Sequence, residues 1–294
     1  MFQKKVFIWL FLGAIVFSSA CSSKFSKLQK KGTLQEKYTS ALMYYKNADY
    51  YRAGQLFEEL TPLLKGDSTA EMTQFYNAYC QYHQKMYSMS GYLFKNFFAT
   101  YNNSPLAEEA YYMSAFSLYK DAPNYNLDQT STLTAIEALQ TFLNTYPESK
   151  YVDECTKNLA ELRKRLELKA YERAKLYYKT SGVTIANFKA AVVAFTNFER
   201  DFPDSEYNEE LAYLKMVSQY KLAENSYEIK QKERYEEAVK YYESFVDKYP
   251  KSNYLKQSDK YYTNANKALE RITKEEREAK AKKDKEAAEK LKTK

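Results

Sequence analysis

Five copies of one short pattern run through this chain in a single register, and they limit what it can fold into more than any other feature. Ala53, Phe57 and Leu60 stand at steps of four and three, with Lys65 five residues on. The same steps recur as Ser90, Phe94, Phe97 and Asn102, and as Ala135, Leu139, Phe142 and Pro147. They return as Ala191, Phe195, Phe198 and Pro203, and as Ala238, Tyr242, Phe245 and Pro250. Steps of four and three set side chains on one face of an α-helix. The small first residue lets a neighbouring helix approach closely, and the two large ones fill the space beside it.

A second pattern precedes each copy. Tyr38, Ala41, Tyr45 and Lys46 match Phe75, Ala78, Tyr82 and His83, then Tyr112, Ala115, Tyr119 and Lys120. Tyr171, Ala174, Tyr178 and Lys179 follow, and Tyr213, Met216, Tyr220 and Lys221 carry Met in place of Ala. Ala41, Ala78 and Ala115 are thirty-seven residues apart, and later copies carry longer connectors such as Asp121 to Thr132. Surface loops tolerate such insertions. The copies end alike, in Tyr146-Pro147-Glu148-Ser149, Phe202-Pro203-Asp204-Ser205 and Tyr249-Pro250-Lys251-Ser252, while Tyr101-Asn102-Asn103-Ser104 keeps the pattern without Pro. Proline stops the helix, and the Ser two residues on is expected to N-cap the next. Pro105, after Ser104, suits the first helical position. Glu108, Asp153 and Glu209 then enter first turns, where the helix dipole favours them.

Each unit is therefore a helix–turn–helix of thirty-odd residues that cannot bury its apolar face alone. Stacked, five of them form an all-α, right-handed superhelical solenoid, expected over residues 34–272. Composition agrees, since 6 Gly and 6 Pro against 31 Tyr and 17 Phe leave few turn formers for a sheet-rich fold. The net charge of +7 is modest and lies partly in the tail. With no dense basic face or motif, the sequence argues against nucleic-acid binding.

The N-terminus reads as a targeting segment. Lys4 and Lys5 precede an apolar run from Val6 to Phe17. Twelve helical residues rise about 18 Å, short of a hydrocarbon core of about 30 Å, so residues 1–20 read as a signal peptide. It ends Ser18-Ser19-Ala20-Cys21. Small residues before a Cys resemble a bacterial lipobox, with Ser18 where an aliphatic residue is usual. That resemblance implies acylation of Cys21, with residues 21–33 as the linker. Ordinary cleavage beside an incidental Cys, and an uncleaved anchor, are the rival readings. Acyl chains would hold the chain to a membrane, since each buried CH₂ contributes about 0.8 kcal/mol. Ser22-Ser23-Lys24-Phe25-Ser26-Lys27 holds no acidic cluster of the kind that tags surface-exported lipoproteins, which favours the periplasmic face.

Ala41-Leu42-Met43-Tyr44-Tyr45-Lys46-Asn47-Ala48-Asp49-Tyr50, followed by Ala53 and Phe57, resembles the tetratricopeptide signature. Five such repeats behind a lipidated Cys, joined by Tyr/Phe-Pro-x-Ser connectors, are similar to the BamD family, the repeat-bearing lipoproteins of the outer-membrane β-barrel assembly machinery. The resemblance covers roughly residues 21–272. It implies a periplasm-facing, non-catalytic subunit with two protein partners, the periplasmic domains of a BamA-like barrel subunit and unfolded outer-membrane proteins. A periplasmic scaffold for peptidoglycan or cell-division enzymes is the alternative that a repeat fold leaves open.

In tetratricopeptide solenoids the first helix of each repeat lines the concave face. Here Tyr38 and Tyr45, Phe75 and Tyr82, and Tyr112 and Tyr119 stand seven apart, with Tyr79 and Phe116 between, and Lys46, His83 and Lys120 alongside. An aromatic stripe edged by cations suits an extended apolar peptide with a terminal carboxylate. The same rings also suit repeat-to-repeat packing, and the two roles are compatible. His83 is the single His and falls where other copies carry Lys, so it reads as a surface cation rather than a base. No phosphate loop, nucleophile elbow or metal-ligand spacing is present, so no enzyme activity, cofactor or metal is expected. A lytic transglycosylase would need a further domain that the repeats leave no room for. Cys80 and Cys155 fall in different repeats and read as small buried residues. Residues 273–294, with nine Lys/Arg against six Asp/Glu, read as an extension of the last helix or a disordered tail, and binding to acidic lipid is a further reading.

Overall fold

The computed structural model describes residues 24–182 and 184–292, with side chains to residue 286. The signal peptide, residues 1–20, and Cys21 lie outside the described residues. Residues 24–31 are helical. Then come α1 (Leu34–Lys46), α2 (Tyr50–Leu63), α3 (Ala70–His83), α4 (Tyr87–Thr100), α5 (Ala107–Asp121) and α6 (Thr130–Thr145). After them run α7 (Val152–Lys179), α8 (Ala186–Asp201), α9 (Asn208–Glu224), α10 (Glu228–Lys248) and α11 (Leu255–Lys292). Among the described residues there is no strand, and the fold is an all-α array of helix–turn–helix repeats. The chain divides into two compact units at Arg163 and Lys164.

The first repeat shows how local chemistry sets the turns. Thr33 and Glu36 form a reciprocal capping box at the start of α1. At its other end the Asp49 N–H bonds back to Tyr44 O at 2.9 Å and the Ala48 N–H to Tyr45 O at 3.0 Å. Ala48 takes φ +57° to allow this, the left-handed closure of a Schellman turn. Asp49 then caps α2 by accepting from the Arg52 N–H at 3.2 Å. Lys85, thirty-seven residues on, repeats the turn with φ +63°.

In unit 1, α1 to α6 each pack on the next. Ala53, Phe57, Leu60, Ser90, Phe94, Phe97, Ala135, Leu139 and Phe142 are all fully buried, so the small–large–large face forms the core. Fully burying a Leu or Phe contributes about 1.5–3 kcal/mol. Gly54 and Gly91 hold equivalent places one residue after the small position. A Cβ on Gly54 would lie 3.2 Å from Cys80 Cβ, and one on Gly91 would lie 3.3 Å from Ser114 O. These glycines let α2 and α4 come close to the helix that follows.

In unit 2, α8, α9 and α10 pack in sequence, and α11 lies on both α9 and α10. Ala191, Phe195, Phe198, Ala238 and Phe245 repeat the buried face. α9 is buried nearly all round, from Leu211 through Ala223, as a helix enclosed on several sides must be. α7 serves both cores. Cys155, Leu159 and Leu162 in its first half join unit 1, and Tyr171 and Ala174 in its second half join unit 2.

Two local expectations are corrected. The connector serines do not N-cap the following helices. Ser104, Ser149, Ser205 and Ser252 stand one turn earlier, where each hydroxyl accepts from the N–H two residues on at 3.0–3.2 Å. Ser104 and Ser149 also donate to Glu71 and Glu108 of a preceding helix, the latter at 2.6 Å. Pro105 sits in that turn and not at the first position of α5, because the serine's turn must close before the helix begins. The tail continues α11 as helix to Lys292. Cys80 and Cys155 are free and fully buried, and burial pushes both thiols up to about 12.

Replacing Gly91 with Val is expected to cost about 1–3 kcal/mol, measured by urea unfolding, because its branches would press on the α5 backbone. An unchanged midpoint would mean that the close approach is dispensable.

Candidate functional site

The aromatic residues singled out in unit 1 fall on α1, α3 and α5, and the structure sorts them into three groups. Phe75 and Tyr112 are 5% exposed and belong to the core. Tyr38 is half-buried against Leu60, Leu64 and Ala70. The others form a run of half-buried rings. Tyr45 lies 4.7 Å from Tyr76 and 6.3 Å from His83. Tyr79 meets Phe94 edge-on at 4.9 Å. Tyr82 faces Phe116 at 6.1 Å, and Phe116 stacks on both Tyr112 at 5.5 Å and Tyr119 at 5.8 Å. The Lys120 ammonium stands 5.0 Å from the Phe116 ring centroid and 5.4 Å from that of Tyr119. Lys46 is exposed at the end of α1.

The charges along this run differ from the sequence reading. His83 stacks on Tyr50 at 4.1 Å with an interplanar angle of 16°. Packing against that ring and its neighbours holds the imidazole below its usual pKa, which favours its neutral form. The tyrosine hydroxyls are directed at carboxylates. Tyr79 donates to Glu109, Tyr112 to Glu154 at 2.7 Å, and Tyr119 to Glu161 at 2.8 Å. Burial, and then the facing carboxylate, push the Tyr79 and Tyr112 hydroxyls well above the ordinary phenol range. They stay protonated donors. The available signal was the recurrence of acids in the first turns of α5, α7 and α9, at Glu109, Glu154 and Glu210.

Unit 2 repeats the device with a cation added. Tyr171 donates to Glu210, and Lys175 donates to Glu210 at 2.8 Å and to the Tyr171 oxygen at 2.6 Å. Burial by itself would raise the Glu210 carboxyl, but these two donors hold it below the usual range.

Among the described residues no group of three or more His, Cys, Asp or Glu is placed to hold a metal ion. Nor is any helix there long and apolar enough to cross a membrane.

The sequence model of an outer membrane lipoprotein family, YfiO, matches residues 30–187, from the linker into α8. The chain belongs to this family. A tetratricopeptide-repeat model matches residues 217–252, which span the end of α9 and all of α10. Among curated proteins, this YfiO-family chain is similar to the outer membrane protein assembly factor BamD of Pasteurella multocida (strain Pm70). The two are 24% identical over 197 residues, which is 63% of this chain and 75% of the relative.

The Lys175–Glu210 pair makes a pH prediction for unit 2. A carboxyl held low in the folded state adds stability above its unfolded pKa, and that stability is lost as pH falls through the folded value. Unfolding midpoints of the parent chain are expected to fall below about pH 4.5 more steeply than those of Glu210→Gln. Equal slopes would show that the pair contributes nothing.

Proposed function

We propose that this chain is a non-catalytic subunit of an outer-membrane protein assembly machine, held to the periplasmic face of the outer membrane by acyl chains on Cys21. The observation that carries the reading is the family match through α1 to α7, joined by similarity to a relative whose name is assembly factor BamD. The partners on this reading are a BamA-like barrel subunit, through its periplasmic domains, and unfolded outer-membrane proteins. A repeat array suits such work, because it exposes a long surface without needing a separate binding domain.

For the second partner the reading uses the half-buried rings of unit 1. Tyr45, Tyr79, Tyr82, Phe116 and Tyr119 keep one edge toward solvent, and Lys46 and Lys120 stand exposed beside them. A segment ending in an aromatic residue has rings to pack on and an ammonium for its carboxylate. Phe75 and Tyr112 serve from beneath, by fixing the rings above them, and Tyr38 supports the turn into α3.

A mild-detergent pull-down of the tagged full-length protein is expected to bring down a large barrel-forming outer-membrane protein in near-equal amount, identified by mass spectrometry. Recovery of peptidoglycan or division enzymes alone would replace this reading with the scaffold. Cys21→Ser is expected to move the protein from the membrane to the soluble periplasmic fraction. Tyr82→Ala and Lys120→Ala are expected to weaken binding of a peptide ending in an aromatic residue, by roughly fivefold or more for the ring and about two- to fivefold for the cation. Unchanged affinity in folded variants would remove these residues from the site.

A further inference from the structure

Unit 2 has an open cavity of about 710 Å³ between the second half of α7 and α8, away from the rings described above. Alanines stand one helical turn apart on both walls, Ala170 and Ala174 on α7 and Ala190 and Ala194 on α8. Val193 stands 53% exposed at the edge. Elsewhere in the chain the small residues of the repeated face, such as Ala53 and Ala135, are fully buried. Here the small residues floor a trough that is open to solvent.

The rim is basic. Arg173 on α7 and Lys189 on α8 border the trough, with Lys169 one turn from Arg173. Neither Arg173 nor Lys189 has an ion-pair partner among the described residues. The acidic residue of the lining, Asp201, is paired with Arg200 at 2.9 Å. An apolar floor with a basic rim calls for an apolar ligand edged by carboxylates. Both walls are helices whose backbone groups are already bonded, so an extended strand would find no main chain to pair with. A small anion would leave the alanine floor wet.

We propose that this trough docks an amphipathic helix of a partner protein, with large apolar side chains on one face and glutamate or aspartate along both edges. The wall from Leu166 to Tyr177 rises about 16 Å, or roughly three helical turns, which sets the length of the segment. The proposal stands apart from the peptide face of unit 1 and does not depend on it.

The test uses the mature chain from residue 21 onward, which has no tryptophan because Trp9 is the single one. Two helical peptides of about three turns share one apolar stripe and one tryptophan, and differ in having Glu or Lys along the edges. Tryptophan emission reports their binding. The Glu-edged peptide is expected to bind, with the Lys-edged peptide about tenfold weaker. The double change Arg173→Glu and Lys189→Glu, both exposed residues, is expected to reverse that order. Ala190→Leu, which fills the trough, is expected to weaken both peptides while helicity by circular dichroism is unchanged. Equal binding of the two peptides, no binding of either, or an order unaffected by the charge reversal would overturn the proposal.

Discussion

Every repeat depends on a small buried residue on its second helix and the close helix packing that it allows. Ala53, Ser90, Ala135 and Ala191 have no exposed surface, and each is followed at four and seven positions by a large side chain that is also buried. The close approach and the filling of the remaining space are one arrangement. A larger residue at the small position would push the helices apart and uncover the rings, and smaller residues at the large positions would leave cavities. Gly54 and Gly91 extend this arrangement by one residue in the first two repeats.

Polar ties are built around that contact rather than in place of it. Connector serines reach back to glutamates at the start of earlier helices, as in Ser149 to Glu108. Tyrosine hydroxyls cross to glutamates of the next repeat, as in Tyr112 to Glu154 and Tyr171 to Glu210. Each such tyrosine buries its ring and gives its hydroxyl a charged acceptor, so a residue rich in apolar area brings no unsatisfied polar group into the packing. The arrangement suits a fold that needs large rings but whose repeats are too thin to bury every edge.

The repeats were legible because a helical face leaves a periodic trace in the residue order, and five copies confirm one another. The buried cysteines were legible for the same reason. The serine turns were misplaced by one turn. Whether a hydroxyl meets the first helical N–H or the turn before it depends on backbone angles that residue types do not reveal. His83 stood in a cation column by alignment, but the ring of Tyr50 on which it stacks lies thirty-three positions away in sequence. Phe75 and Tyr112 shared a stripe with Tyr82 and Tyr119, yet the structure buries the first pair and leaves the second at the surface. Seven-residue spacing fixes a face of the helix, but not how far a neighbour covers each end of it.

By itself the sequence determined the helical class, the repeat register and the buried face of the first four copies, since these follow from side-chain size at helical spacing along one chain. Tertiary structure alone decided which carboxylate each tyrosine meets, that α7 serves two cores, and that the alanines of α7 and α8 border an open trough. Those outcomes depend on the distance between helices that are remote in sequence. That distance is a sum over many packed side chains, which no local pattern records.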